Sequence, residues 1–238
     1  MFCKFLTTFL FLVVTFSWMP ASSAAEDKSA KPASKKSKSE KEWRSLFDGK
    51  TLKGWESTKF GGEGDVTVEN GAIILEIGNY MTGIRTTQKI PKINYEVELK
   101  AQRVAGTDFF CGMTFPVGDD PCSLILGGWG GGVCGLSSID GLDASENQTT
   151  SYRQFKNETW YNVRLRVTKE KIEAWIDNEQ IVDQELDGRR VSIRSEVELS
   201  KPFGFATWAT CGALKDIKIR ELPAKSKSKT ESAPPKKS

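Results

Sequence analysis

The residues best suited to chemistry lie in one stretch, 122–147, which reads CSLILGGWGGGVCGLSSIDGLDASEN. Gly127, Gly128, Gly130, Gly131 and Gly132 surround Trp129, and the acids Asp140, Asp143 and Glu146 follow. Backbone bare of side chains lets a ligand approach the indole, or lets the chain turn at positive φ. An aromatic face takes the apolar face of a sugar ring, while carboxylates take its hydroxyls or move protons. The stretch therefore reads as the edge of a carbohydrate cleft. A flexible hairpin end is the plainer reading of the same glycines. Asp140, Asp143 and Glu146, with Asn147, are also oxygen ligands of the kind a hard divalent cation such as Ca²⁺ takes. They are the candidate metal ligands, and Ca²⁺ the cofactor candidate, against a solvated acidic loop; the spacing matches no EF-hand.

What the chain lacks narrows the chemistry further. It contains no His, which removes Ser-His-Asp and Cys-His activation, His-ligated zinc and the commonest neutral-pH base. Proton transfer falls to Asp or Glu, assisted by Tyr, Lys or Arg. The glycines at 127–132 lack the helix and Lys of a phosphate loop. Past the export segment the cysteines are Cys111, Cys122, Cys134 and Cys211. Cys122 and Cys134 are symmetric about Gly128, so a hairpin end there would set them opposite each other for a bridge. Buried free thiols are the alternative, because Cys111 and Cys211 sit among packed strand residues. The Asn-x-Thr triplets at Asn147 and Asn157 read as accidental.

Residues 1–24 combine Lys4, an apolar run over 5–18 and small residues at 21–24, which is the pattern of a cleavable export signal. The run is shorter than the roughly 20 residues of a membrane span, so the expected location is secreted or periplasmic, with no transmembrane segment. Residues 25–42 and 224–238 collapse to Lys, Ser, Ala, Pro and Glu and read as a disordered linker and tail. These three segments carry +7 against a total of +3, so the intervening 43–223 is net −4. The basic character belongs to the ends, and the acidic core argues against a nucleic-acid partner.

Residues 43–223 suit one domain with one core. Strand signals dominate, no stretch sustains a helical period, and turn signals recur as in an all-β sandwich. Asn70-Gly71 joins two β-rich runs as a tight hairpin. Over 94–103, Tyr95, Val97, Leu99 and Ala101 pack inward while Glu96, Glu98 and Lys100 meet water. Over 108–115, alternation assigns Phe109, Cys111, Met113 and Phe115 to the core. Asp108, Phe110, Gly112 and Thr114 take the opposite face, the floor of a binding groove. Residues 43–47 are expected to close the sandwich beside 216–221.

Several segments together resemble the 3-keto-disaccharide hydrolase domain family: LFDGKTLKGW (46–55), VENGAI (68–73), INYEVELKA (93–101), GTDFFCGMTF (106–115), WYNVRLRV (160–167) and LKDIKIREL (214–222). The resemblance spans nearly all of the core. It implies a concanavalin-like jelly-roll sandwich of two antiparallel sheets, in an exported bacterial protein that acts on 3-keto-glycosides by hydrolysis or by lyase and hydratase steps. Where many members carry Gly-Gly-Asn-Ser-Gly, this chain has Gly-Thr-Asp-Phe-Phe-Cys-Gly, residues 106–112.

The substrate class suits a chain without His. A ketone at C3 acidifies the C2 proton, so a carboxylate can abstract it and expel the C1 substituent, after which water adds back. Positioned acid–base catalysis contributes about 10²- to 10⁴-fold, so the base needs a donor or cation at the developing oxyanion. Asp108 is the candidate base, with Glu146 and Asp140 as second acids. Arg153 and Arg85 are the oxyanion partners, and Trp129 and Trp208 the stacking platforms. Trp55, Trp160 and Trp175 read as structural. A non-catalytic carbohydrate- or cell-surface-binding module of the same fold is the alternative.

Overall fold

The computed structural model describes residues 41–223. The export signal, residues 25–40 of the linker and the Lys-rich tail expected from the sequence lie outside the described residues. At the start of the described chain, the Lys41 ammonium pairs with the Glu221 carboxylate.

Two antiparallel sheets face each other. One runs β13 (Glu179–Glu185), β12 (Lys171–Ile176), β11 (Trp160–Val167), β6 (Tyr95–Ala105), β15 (Cys211–Glu221), β4 (Ala72–Leu75) and β3 (Val66–Glu69), with β1 (Arg44–Ser45) also pairing β15. The second runs β10 (Ser151–Tyr152), β9 (Val133–Ser137), β8 (Asp120–Gly128), β7 (Cys111–Val117), β14 (Gly204–Trp208), β5 (Met81–Thr86) and β2 (Trp55–Ser57). The expected all-β sandwich is present. So is its closure, with Arg44 opposite Ile219 and Ser45 opposite Lys218. The β3–β4 hairpin turns through Asn70 and Gly71 at φ +49° and +78°, the left-handed pair that a two-residue turn needs to match strand twist.

Period-2 alternation builds the core. Tyr95, Val97, Leu99 and Ala101 of β6 share one core with Met113, Phe115, Leu124, Leu126 and Phe205 of the other sheet and with Phe203 just before β14, all buried. Each such large side chain contributes about 1.5–3 kcal/mol on leaving water. Buried polar tips are served: Tyr95 donates its hydroxyl to the Pro116 carbonyl at 2.6 Å, and Trp55 its indole N–H to the Leu46 carbonyl at 2.9 Å.

Three expectations are corrected. The Cys122–Cys134 bridge does not form, and the alternative reading holds: all four described cysteines are buried thiols without a disulfide. The β8–β9 hairpin is centred near Gly130 rather than Gly128, which sets Leu126, not Cys122, opposite Cys134. Burial pushes the Cys111 and Cys122 thiols up to about 12, which makes them poor nucleophiles at neutral pH. Second, Glu96 points away from the core yet is 0% exposed. It lies between Arg166 of β11 and Arg220 of β15 in the ladder, and their guanidinium groups cover it. Third, Phe110 is core and Phe109 is not. The regular strand begins only at Cys111, so alternation carried back past that point assigns the two rings to the wrong faces.

Candidate functional site

The outward face of the second sheet is cut low by small residues. Ala206 of β14 lies opposite Gly83 of β5 and Gly112 of β7, and the same row continues through Ile125 and Gly135. At Gly112 a Cβ would fall 3.1 Å from the Phe109 ring that lies over it, so a side chain there would push the ring aside. The resulting groove, of about 230 Å³, is lined by Asp108, Phe109, Ser137, Trp129, Arg194 and Trp208, among others. Pockets for drug-sized ligands run from about 300 to 1,000 Å³, so this one suits a ligand whose buried part is about one ring.

One end is aromatic. Trp208 lies 5.6 Å from Tyr80 and 6.5 Å from Phe109 between ring centroids, and its amide bonds the Phe109 carbonyl at 3.1 Å. Trp129 rides the tip of the β8–β9 hairpin, 44% exposed, at φ +48°. A bulky residue in the left-handed region persists only where its surroundings hold it there. Two contacts do so here. The Asp108 carboxylate accepts the Gly130 amide at 3.0 Å on Oδ2 and the Phe109 amide at 2.7 Å on Oδ1. Gly131 sits so close that a Cβ would fall 2.5 Å from the Thr107 carbonyl. Asp108 thus lines the groove and ties the hairpin tip to the segment that bears Phe109 and leads into β7.

The other end is polar. The crossover that precedes β14 contains a 3₁₀ helix, Ser195–Ser200, whose Val197 is buried with Met81 and Ala206. Residues 138–140 hold this crossover by a ladder of their own, with Ile139 bridging Val191 and Ser138 and Ser192 exchanging amide bonds. That ladder brings Arg194 and Glu196 to the groove beside Ser137. Arg194 donates to Glu196 at 2.6 Å and to Asp143 at 2.9 Å. The bond from Arg194 holds the Glu196 carboxyl below the usual carboxylate range, and that same bond raises Arg194. On the floor, the Thr114 and Ser123 hydroxyls bond each other at 2.9 Å, and Ser137 lies opposite Ser123 on the next strand.

Of the residues singled out from the sequence, the fold brings Asp108, Trp129 and Trp208 into one groove. Asp143 reaches it only through Arg194. Asp140 is engaged by the Arg189 guanidinium at 2.8 Å and the Arg190 amide at 2.9 Å, which hold its carboxyl below the usual range. Glu146 is exposed, in a neighbouring hollow with Asp143 and Glu196. The proposed cation ligands therefore do not form a cage; among the described residues no group of three or more His, Cys, Asp or Glu does. Asn147 is buried, its amide turned to the carbonyls of Leu136, Leu142 and Asp143, so it braces the loop. Arg153 pairs with Asp177 and Glu179, and Arg85 with Glu56; neither lines the groove. Sequence reasoning missed Arg194, Glu196 and Ser137. The one signal available was a basic–acidic pair, Arg194 and Glu196, two positions apart around Ser195 in a segment with no strand pattern.

Residues 42–220 match the 3-keto-alpha-glucoside-1,2-lyase-like domain. No curated protein matches the chain in sequence. Among solved structures, a Bacillus subtilis protein of unknown function with a galectin-like fold superposes at TM-score 0.56 and 11% identity, over 80% of this chain and 99% of its own. The Crh5 transglycosylase, in complex with NAG, does so at 0.51 and 14%, over 77% and 84%. A glycosyl hydrolase candidate from Parabacteroides distasonis ATCC 8503 does so at 0.50 and 14%, over 76% and 94%. Likeness at such identities is likeness of fold.

Proposed function

Because this chain belongs to the 3-keto-alpha-glucoside-1,2-lyase-like domain family, we propose that its groove takes a 3-keto-glycoside and cleaves it by elimination at C1–C2, followed by hydration. The observation that carries this reading is one small cavity that joins an aromatic wall, Trp208 with Phe109 and Trp129, to a carboxylate, a guanidinium and hydroxyls. The sugar's apolar face stacks on the indoles, and its polar edge turns to the floor.

Asp108 acts as the base. Its two backbone bonds leave further lone pairs on each oxygen, so a proton can still be received. The C2–H bond breaks, the C1–C2 double bond forms, and the C1–O bond to the departing group breaks. The proton gathered on Asp108 is the one that the departing alkoxide needs, and its transfer returns the carboxylate to its ionised form. Arg194 keeps N–H donors beyond those given to Asp143 and Glu196, and these serve the developing enolate oxygen. The export-signal pattern read at 1–24 supports an activity outside the cytoplasm, in a periplasm or beyond it.

The test is product analysis by NMR after incubating the full chain with methyl 3-keto-α-glucoside. Wild type is expected to release methanol. Asp108→Asn is expected to slow this by roughly 100-fold or more while binding stays within a few-fold. Full turnover by Asp108→Asn moves the base elsewhere. A second reading is a binding module without chemistry, and one observation favours it: both groove carboxylates already have partners, Asp108 in backbone amides and Glu196 in Arg194. Stacking of sugars with no turnover of any 3-keto-glycoside by wild type selects that reading.

A further inference from the structure

The polar end of the groove contains a hydroxyl that the protein itself does not use. Thr114, Ser123 and Ser137 form one row across β7, β8 and β9, since Thr114 faces Ser123 and Ser123 faces Ser137 in the ladders. Thr114 and Ser123 satisfy each other at 2.9 Å. Ser137 lines the groove at 2% exposure, and its Oγ finds no hydrogen-bond partner among the described residues. Buried hydroxyls are nearly always paired, so one left over on a cavity wall marks the place where something else completes the pair. The charges nearby limit what that can be. Asp143 and Glu196 both engage Arg194, which leaves this end with more anion than cation, and Asp108 adds another anion along the groove. An anionic ligand group would enter against that balance.

We propose that Ser137 is the specificity-determining residue of the groove, its hydroxyl pairing with one ring hydroxyl of a neutral sugar at the polar end. This deepens the carbohydrate reading above and rests on it. The pairing is reciprocal, because a serine hydroxyl and a sugar hydroxyl each donate and accept. Selectivity follows from the same geometry, because a sugar that lacks that hydroxyl leaves Ser137 buried and unpaired, whereas an uncharged ring that carries it does not.

The experiment uses 1,5-anhydro-3-keto-glucitol, which has no leaving group at C1 and is not consumed. Its 2-, 4- and 6-deoxy forms and its C6 carboxylate serve as companions. Titration is carried out on the full chain, wild type and Ser137→Ala, alongside thermal melting of both. Ser137→Ala is expected to melt at the same temperature or higher, because no protein partner is lost, yet to bind the parent sugar roughly 3- to 10-fold more weakly. One deoxy form should show the same loss with wild type and no further loss with Ser137→Ala, and the carboxylate should bind more weakly than the parent sugar. A lower melting temperature with unchanged affinity assigns Ser137 a structural role and overturns the inference. So does full additivity of the mutation with every deoxy form, or a carboxylate that binds as tightly as the neutral sugar. Equal binding by Ser137→Ala removes this inference alone, whereas absence of binding by wild type removes the carbohydrate reading with it.

Discussion

The two outward faces of the sandwich carry similar residue types and treat them in opposite ways. On the face of the first sheet, rings and charges answer one another. Arg164 lies 3.8 Å over Trp175, Lys215 4.0 Å over Trp160, and Lys218 and Arg220 lie 4.8 and 4.7 Å over Trp43. Glu96 receives Arg166 at 2.8 Å and Arg220 at 2.7 Å. On the face of the second sheet, Trp129 is held at φ +48°, Trp208 turns its ring to a cavity, and Ser137 is left unpaired. The first face meets most of its own demands, although the buried Gln102 Oε1 lacks a partner among the described residues and Asp216 is left-handed there, and neither of the two lines the groove. The second keeps strain and unmet polarity where a ligand can relieve them, and such departures from local consistency collect at functional sites.

The comparison breaks most visibly at Glu96. Glu96→Ala leaves arginines of two flanking strands without their shared anion and is expected to cost about 3–5 kcal/mol, read as a lower denaturant midpoint. Groove affinity should be untouched; an unchanged midpoint would show that the charged face is not held in this way. A smaller effect of the opposite kind is expected at Trp129. Trp129→Gly relieves the left-handed backbone and should hold or raise stability by up to about 1 kcal/mol, while sugar binding loses about 1.5–3 kcal/mol of stacking. Loss of stability together with affinity would make the indole a packing residue, and the contrast between the faces would fall. The smallest effect concerns acid. The Glu196 and Asp140 carboxyls are both held below their usual range. Their contribution is therefore complete above the unfolded values of about 4 and is lost as pH falls through the lower, folded ones. Melting curves from pH 6 down to pH 3 should decline gently, and Glu196→Gln should flatten part of that decline. A decline that begins above pH 5 would point to a different group.

The sequence by itself determined the layers. Inward alternation along 95–101 and the Asn70-Gly71 turn appear as read, because each depends on local periodicity or local φ preference, and the expected pairing of the first and last strands is also present. Asp108, Trp129 and Trp208 were legible by residue type, an acid beside aromatics and two indoles with one among glycines, whereas parity could not place Asp108, which precedes the ladder. The tertiary structure decided the rest. Phe109 and Phe110 exchange faces because the strand begins one residue after them, and alternation has no meaning outside a ladder. Asp143 bonds Arg194 across 51 positions, and Ser137 lines the groove with a segment 57 or more positions away, through the 138–140 and 190–192 ladder. Glu96 is buried by arginines 70 and 124 positions away. Local patterning tells which side of a strand a residue faces, but which chain crosses over that side is set by the packing of the whole sandwich, and there the polar half of the groove is assembled.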